Sequence, residues 1–416
     1  LVQWTAQDIH PPLYYTLLHF WIALGDSEGV VRGLSVLASL LALPVIYGLG
    51  RTLFDTHTGL VAALLLAVAP FHIWYAQEAR MYAWVTLFIA ASVLLALLAW
   101  QKRHVGLWVA YVLVTAAALY THYYAIFGIL VENLFFAYLG LKRRISARLL
   151  GAWCVSEVAV LLLFAPWLPT FLAPILRGGG GWLAMASGRP TLSALANTAV
   201  LFTLGNSREM FPALVRRAGY ALFVGAFLFG LWPGKEAPAR AEAEGRLYTG
   251  REALAFCFLY MALPIGLAWL VSQVGKPMYS ARYMLPFLLP FLLLVAGGVS
   301  RLASPGRWGS LVSSVVLLLL VAVALVGVQA QVRVADKPAW RGLAEWLGQQ
   351  ARPGDLVLFI PGWHAKPFDY YAHGAFAICD DIPMPVDAHH DEALQAVDQA
   401  IAGHPRVWLV WEEGHY

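Results

Sequence analysis

The sequence predicts a mainly α, polytopic transmembrane helix bundle followed by a small α/β domain. Three observations predict it. Of 416 residues, 60% are hydrophobic and only 12% charged, whereas a soluble globular domain carries about 25% charged residues. Apolar runs of roughly 20 residues recur through most of the chain, the length that crosses the hydrocarbon core as a helix. From about residue 331 onward the chain turns polar and alternates helix-like and strand-like patterns. A chain this apolar (mean hydropathy +0.66) has too little polar surface for water, and a bilayer removes that requirement.

The runs read as about ten spans: residues 31–50, 58–75, 82–100, 105–121, 124–141, 149–171, 213–232, 252–273, 283–300 and 308–329. The run 308–328 has no charge, whereas Pro70 and His72 interrupt 58–75 near one end. Lys and Arg set the orientation. One set of loops carries Arg51, Lys102, Arg103, Lys142, Arg143, Arg144, Arg148, Lys235, Arg240, Arg246, Arg251, Arg301 and Arg307. These loops alternate with a set poor in positive charge, so the rich set is read as cytoplasmic. The expected location is the cell inner (plasma) membrane, multi-pass. The extracytoplasmic side receives residues 1–30, 76–82, 120–124, 172–212, 274–283 and the tail.

Residues 1–330 form the expected transmembrane domain and 331–416 the soluble extracytoplasmic domain. In the tail, Trp340 to Gln350 is helix-like, Asp355 to Ile360 a strand, Asp391 to Ala402 a helix and Arg406 to Trp411 a strand. Arg352-Pro353-Gly354-Asp355 is turn chemistry. The stretch 235–250, rich in Ala, Glu and Arg, reads as a flexible or weakly helical cytoplasmic loop. The glycines at 178–181 read as a lid in an outer loop. Leu1 stands where a Met would, the opening stretch is polar, and the last strand stops almost at the end. A fragment truncated at both ends is the expectation.

Composition also excludes several function classes. The net charge of +4 comes with no basic tract interleaved with aromatics, so no nucleic-acid partner is expected. Cys154, Cys257 and Cys379 have neither disulfide nor metal spacing. No Walker A motif supports ATP-driven transport. The poor spacing of His389-His390-Asp391 argues against a shared metal site.

Dense polar motifs gather in the outer loops. Gln7-Asp8-Ile9-His10-Pro11-Pro12-Leu13-Tyr14-Tyr15 presents Asp8 and His10 at a proline turn before an aromatic helix. Asp8 fits a general base or a group positioning an acceptor hydroxyl, or simply a helix N-cap. Gln77-Glu78-Ala79-Arg80-Met81-Tyr82 sits on a very short loop. Arg80 fits a phosphate contact there, with Glu78 holding a hydroxyl or Arg80 itself; the plain alternative is an interfacial ion pair. Thr121-His122-Tyr123-Tyr124 suits an interfacial aromatic belt as well as a site. Lys276-Pro277-Met278-Tyr279-Ser280-Ala281-Arg282-Tyr283 places two cations on the charge-poor face, suited to a lipid-linked phosphate or to headgroup contact. Glu132 and Glu157 fall inside spans, where helix–helix hydrogen bonding is the preferred reading.

Taken together these motifs resemble a known family. The stretch Asp8 to Tyr15, then Gly25-Asp26-Ser27-Glu28, Arg51 with Leu53-Phe54, the run Pro70 to Tyr82, Thr121-His122-Tyr123 and Ser280-Ala281-Arg282-Tyr283 resemble bacterial membrane glycosyltransferases of the dolichyl-phosphate-mannose-protein mannosyltransferase type. These share the GT-C architecture with the enzymes that add aminoarabinose to lipid A. The resemblance implies inverting transfer of a sugar from a polyprenyl-phosphate donor to an acceptor hydroxyl on protein, lipid or glycan, at the extracytoplasmic face of the lipid bilayer. It implies catalytic roles for Asp8 and Glu78 on the hydroxyl side. Arg80, Lys276 and Arg282 take the phosphate side, and His10, Tyr82, His122, Tyr123 and Tyr283 complete the substrate-binding set. No cofactor is certain; the carboxylates could bind a divalent cation or act alone. Relatives usually carry an Asp-Glu pair after their first span, and this sequence does not contain it. Asp8 would then be a second acidic contributor.

Two other readings stand beside this one. A transporter or lipid flippase predicts broken helices, repeats and midplane charges, and only Glu132 and Glu157 favour it. A membrane scaffold leaves the outer-loop motifs unexplained. The catalytic reading requires Asp8, Glu78, Arg80 and Arg282 to converge within about 15 Å, on one cavity open to the membrane.

Overall fold

The structure is a computed structural model. It describes residues 10–142, 144–176, 188–206, 211–233, 248–275, 277–303, 307–333, 339–360, 362–372, 376–380, 382 and 390–411. Asp8, Lys276, the 178–181 glycines, most of 235–250 and the His389-His390-Asp391 side chains lie outside these residues.

The chain divides into two compact units near residue 334. The first is helical: α1 (Leu13–Trp21), α2 (Glu28–Leu53), α3 (Thr56–Val68), α4 (Pro70–Ala76), α5 (Tyr82–Lys102), α6 (Val105–Leu119), α7 (Ala125–Leu141), α8 (Ala147–Phe164), α9 (Leu168–Leu176), α10 (Leu192–Leu204), α11 (Ala213–Leu231), α12 (Gly250–Val274), α13 (Leu288–Leu302) and α14 (Arg307–Arg333). A 3-10 turn, Ala281–Phe287, leads into α13.

Local chemistry sets the boundaries. Ser27 and Asp55 cap α2 and α3 by accepting the backbone N–H groups of Val30 and Thr58. Thr249 and Glu252 form a reciprocal capping box at the start of α12. Ala69 is extended because Pro70 follows it, and Pro70 then opens α4. The result is a bend of 59° between α3 and α4, where the sequence placed its interrupted span.

Among the described residues seven helices are long and apolar enough to cross a membrane, and the bent α3–α4 pair makes up to eight. Ten was the expectation. The difference lies in α6 and α7, with 15 and 17 residues. The turn at 120–124 shortens both, and at 1.5 Å per residue each falls short of a hydrocarbon core of about 30 Å. Within 172–212, read as a loop, the structure has the apolar helix α10.

The helix at the centre of the bundle is Ala281–Leu302, with 94% of its apolar window buried, whereas 22% of α14 is. Buried alanines, leucines and aromatics from α2, α3, α5, α7 and α13 build one continuous core. Four helices are tied together at their middles by polar bonds. Ser92 (α5) donates to Glu132 (α7) at 2.6 Å, and Tyr111 (α6) donates to Glu157 (α8) at 2.6 Å. Asn133 (α7) donates to the second Glu157 oxygen at 3.2 Å. This is the helix–helix hydrogen bonding that apolar surroundings favour.

The second unit contains α15 (Trp340–Gln350), β1 (Leu356–Ile360), α16 (Ala365–Asp369), β2 (Ala377–Cys379), α17 (His390–Ile401) and β3 (Val407–Trp411). Its three strands are parallel in the order β2-β1-β3. The central strand supplies Val357 and Phe359 to a core with Ala344, Leu347, Ala365 and Phe368. Asp355, 1% exposed, locks β1 to the start of β3. It accepts from Arg406 at 2.6 Å, from the Trp408 indole at 3.0 Å and from the Arg352 backbone at 2.9 Å. The Arg406 bond foremost, with the other two donors, holds its carboxyl well below the usual range.

Candidate active site

Four short connections at one end of the helical unit carry the site. Pro11 and Pro12 stop the chain from being helical before α1, leaving His10 at the turn. The start of α1 is pinned to the turn between α6 and α7, because Leu13 N–H donates to the Tyr120 carbonyl at 2.9 Å. Between α4 and α5 the loop is tight: Arg80 N–H donates to the Glu78 carbonyl at 2.8 Å. Ser35 of α2 then clamps it by donating to the Arg80 carbonyl at 3.3 Å. Finally, the residues before the Ala281–Phe287 turn are held by Ser272, which accepts from the backbone N–H groups of Met278 and Tyr279 at 2.9 Å each. Tyr124 reaches across to donate to the Met278 carbonyl.

These connections bring most of the sequence-predicted residues together. Tyr82, buried at the start of α5, is the residue that both guanidinium groups share as a neighbour. Arg282 and Arg80 both lie within electrostatic reach of the Tyr82 hydroxyl. Arg80 donates to the Tyr15 hydroxyl at 3.4 Å. Glu78 influences Arg80, Tyr14 and Tyr75, and Arg282 influences Tyr75, so the three charges share one neighbourhood. Tyr283 packs on Tyr82 with ring centroids 6.0 Å apart and on His122 at 4.7 Å. His122 in turn lies 6.4 Å from His10 and 6.4 Å from Tyr82.

Tyr82, Tyr283, His122 and His10 are therefore linked ring by ring, and Glu78, Arg80 and Arg282 join them through electrostatic reach. Tyr123 is turned elsewhere. Its ring packs on Phe171 at 4.8 Å and its hydroxyl accepts from the Trp167 indole at 3.1 Å. The neighbouring Tyr124 occupies the place expected for it, 4.9 Å from Tyr283. Sequence reasoning also passed over Tyr75, which packs on Tyr82 at 5.2 Å, and Ser35. The run Trp74-Tyr75 was visible in the sequence; Ser35, inside an apolar helix, carries no such signal.

The charge balance of this cluster is positive, two guanidinium groups against one carboxylate among the described residues. Lined by hydroxyls, such an arrangement can hold an anionic oxygen-rich group such as a phosphate. The carboxylate beside it can take a proton from a hydroxyl. Among the described residues no three His, Cys, Asp or Glu side chains gather as a metal ligand set.

Residues 9–169 match the family model of dolichyl-phosphate-mannose-protein mannosyltransferase. No curated protein matches the chain. Among solved structures, ArnT from Cupriavidus metallidurans in the apo state superposes with a TM-score of 0.56 at 16% identity, covering 94% of this chain and 78% of that one. The same protein bound to undecaprenyl phosphate gives 0.53 at 16% identity, covering 96% and 79%. The Archaeoglobus fulgidus oligosaccharyltransferase in complex with Zn and sulfate gives 0.55 at 15% identity, covering 88% of this chain and 49% of that one. The chain is a multi-pass bundle of apolar helices that shares its fold with ArnT, and its residues 9–169 match the dolichyl-phosphate-mannose-protein mannosyltransferase model.

Proposed function

We propose that this protein is a membrane glycosyltransferase that moves a sugar from a polyprenyl-phosphate-linked donor to a hydroxyl of a protein, lipid or glycan acceptor. The observation that carries the reading is the Arg80–Tyr82–Arg282 arrangement with Glu78 beside it, built from four separate connections at one end of the bundle. The undecaprenyl phosphate bound by ArnT supports the donor class.

In the proposed reaction the acceptor oxygen attacks the anomeric carbon, and the bond from that carbon to the phosphate oxygen breaks. The electron pair leaves on the lipid phosphate, where Arg80 and Arg282 meet the growing negative charge; Lys276 is assigned the same task. The hydroxyl proton goes to a carboxylate, Asp8 or Glu78. Attack opposite the leaving group inverts the anomeric centre. His10, Tyr82, His122 and Tyr283 shape the donor pocket, and Tyr123 is assigned to its aromatic margin. The cytoplasmic assignment of the Lys- and Arg-rich loops puts this end, and residues 331–416, on the extracytoplasmic side of the inner membrane.

The transporter or flippase reading rested on Glu132 and Glu157. Their bonds to Ser92, Tyr111 and Asn133 favour a structural role instead.

Membranes from cells expressing the full-length protein, given a radiolabelled polyprenyl-phosphate sugar, test the proposal. Wild type is expected to transfer label. Arg80→Ala is expected to lower kcat about 10²–10³-fold, as loss of one charge-stabilising donor does. Asp8→Asn should fall further if Asp8 is the base. Equal transfer by all three removes both residues from the mechanism.

A further inference from the structure

His122 carries an inference about how the same site holds its donor, and it rests on the glycosyltransferase reading above. The residue sits in the turn between α6 and α7 and is 7% exposed. The backbone N–H of Tyr124 donates to its Nδ1 at 3.1 Å. A ring nitrogen that accepts a hydrogen bond holds no proton, so the neutral ring carries its hydrogen on Nε2. Protonating Nδ1 would set two N–H donors against each other inside a buried turn. The Nε2–H makes no hydrogen bond with the described residues, although the ring is packed between Tyr283 at 4.7 Å and Tyr124 at 5.3 Å.

Burial and the nearby His10 oppose an imidazolium here. His10 faces it from the chain before α1, Tyr82 from α5, and Tyr283 from the turn before α13. Arg282 reaches Tyr82 and Tyr283, and Arg80 reaches Tyr82, so both cations border the same group. Glu78 acts on Tyr75, Tyr14 and Arg80. Burial, with His10 adding to it, pushes the His122 imidazole down to about 3.

We propose that His122 is a tautomer-locked, permanently neutral donor whose Nε2–H binds a non-bridging oxygen of the donor's lipid-linked phosphate, and that it neither takes nor gives a proton in the reaction. A third cation beside Arg80 and Arg282 would have to be desolvated at a cost. A neutral N–H adds a charge-assisted bond to the phosphate without that cost, and it does so at every working pH.

The test uses full-length protein in detergent, with unsugared polyprenyl monophosphate as the binding probe. His122→Asn keeps an oxygen for the Tyr124 N–H, as an Asx-type turn does, and loses the distal donor. His122→Gln keeps an amide N–H near the Nε2 position. The Asn variant is expected to weaken binding about ten- to a hundredfold, the Gln variant to recover part of it, and the shape of the kcat/KM–pH profile to stay that of wild type. In ¹⁵N-histidine spectra of the wild type, the ring coupled to the Tyr124 amide should show a bare Nδ1 and a protonated Nε2 that do not titrate between about pH 5 and 8.

A protonated Nδ1, or titration within that range, overturns the proposal without any variant. So does equal binding by wild type and the Asn variant, or loss in that variant of an ionisation near neutral pH. If wild type itself fails to bind polyprenyl monophosphate, the glycosyltransferase reading falls and this role falls with it.

Discussion

Tyr82 is the side chain that lies within electrostatic reach of both cations described in the site. Arg282 and Arg80 both lie within electrostatic reach of its hydroxyl, and Arg80 also donates to Tyr15. The phenol oxygen gives both guanidinium groups one shared polar neighbour before any phosphate arrives. Removing the hydroxyl alone leaves the packing against Tyr75 and Tyr283 in place. Tyr82→Phe is therefore expected to reduce kcat/KM by about tenfold or more, the worth of a hydrogen bond to a charged group, with an unchanged melting temperature. Steady-state kinetics beside a thermal melt checks it; wild-type kcat/KM would show that the arginines need no such guide. Most of this cluster was legible in the sequence, because charged and aromatic residues crowded into loops between apolar runs stand out. What could not be read was direction. Adjacent tyrosines in a turn point apart, so that Tyr124 and not Tyr123 faces Tyr283.

At the scale of elements, two contacts set how the helices and strands lock. Gly230 of α11 and Gly298 of α13 let the two backbones touch. A Cβ on Gly298 would run into the Ala226 carbonyl, and one on Gly230 into that of Leu294. Neither neighbour is a flexible side chain that can give way. Gly298→Leu is expected to destabilise the bundle by at least about 1–3 kcal/mol, read as a lower melting temperature in detergent. In the second unit, Asp355 joins β1 to β3 as a carboxylate. Its folded-state pKa is depressed, so its contribution is fully present above the unfolded value of about 3.9 and is lost as pH falls through the folded value. Amide exchange of β1 in the full chain should accelerate, relative to the intrinsic rate, as pH drops below about 4. Asp355→Asn should show the faster exchange already at neutral pH and little further change on acidification. The strand and helix limits of this unit followed from turn residues and alternation. The choice of β1 as the central strand did not, since all three strands are short and apolar.

For the whole molecule, the question is which side each end faces. The helices α6 and α7 are short for a bilayer, but they are consecutive. Counting both or neither as spans leaves every Lys- and Arg-rich end on the same side, so the orientation survives the revised count. With the native cysteines replaced, Lys102→Cys is expected to resist a membrane-impermeant maleimide on intact cells, and Gln349→Cys to react. The opposite pattern would place the candidate site on the cytoplasmic side and exclude a donor presented outside.

The sequence by itself determined that the chain is a polytopic helix bundle, where most of its long helices run, and which loops crowd charged and aromatic residues together. Hydrophobicity, proline, caps and charge act over a few residues, so they can be read from order alone. Only the tertiary structure decided that Glu78, Arg80 and Arg282 share one neighbourhood around Tyr82, and that Ser35 and Tyr75 belong to it. It alone made Glu132 and Glu157 members of a helix clamp. Those facts depend on which helix faces carry each loop toward another, a property of packing among residues some two hundred positions apart, which no local pattern encodes.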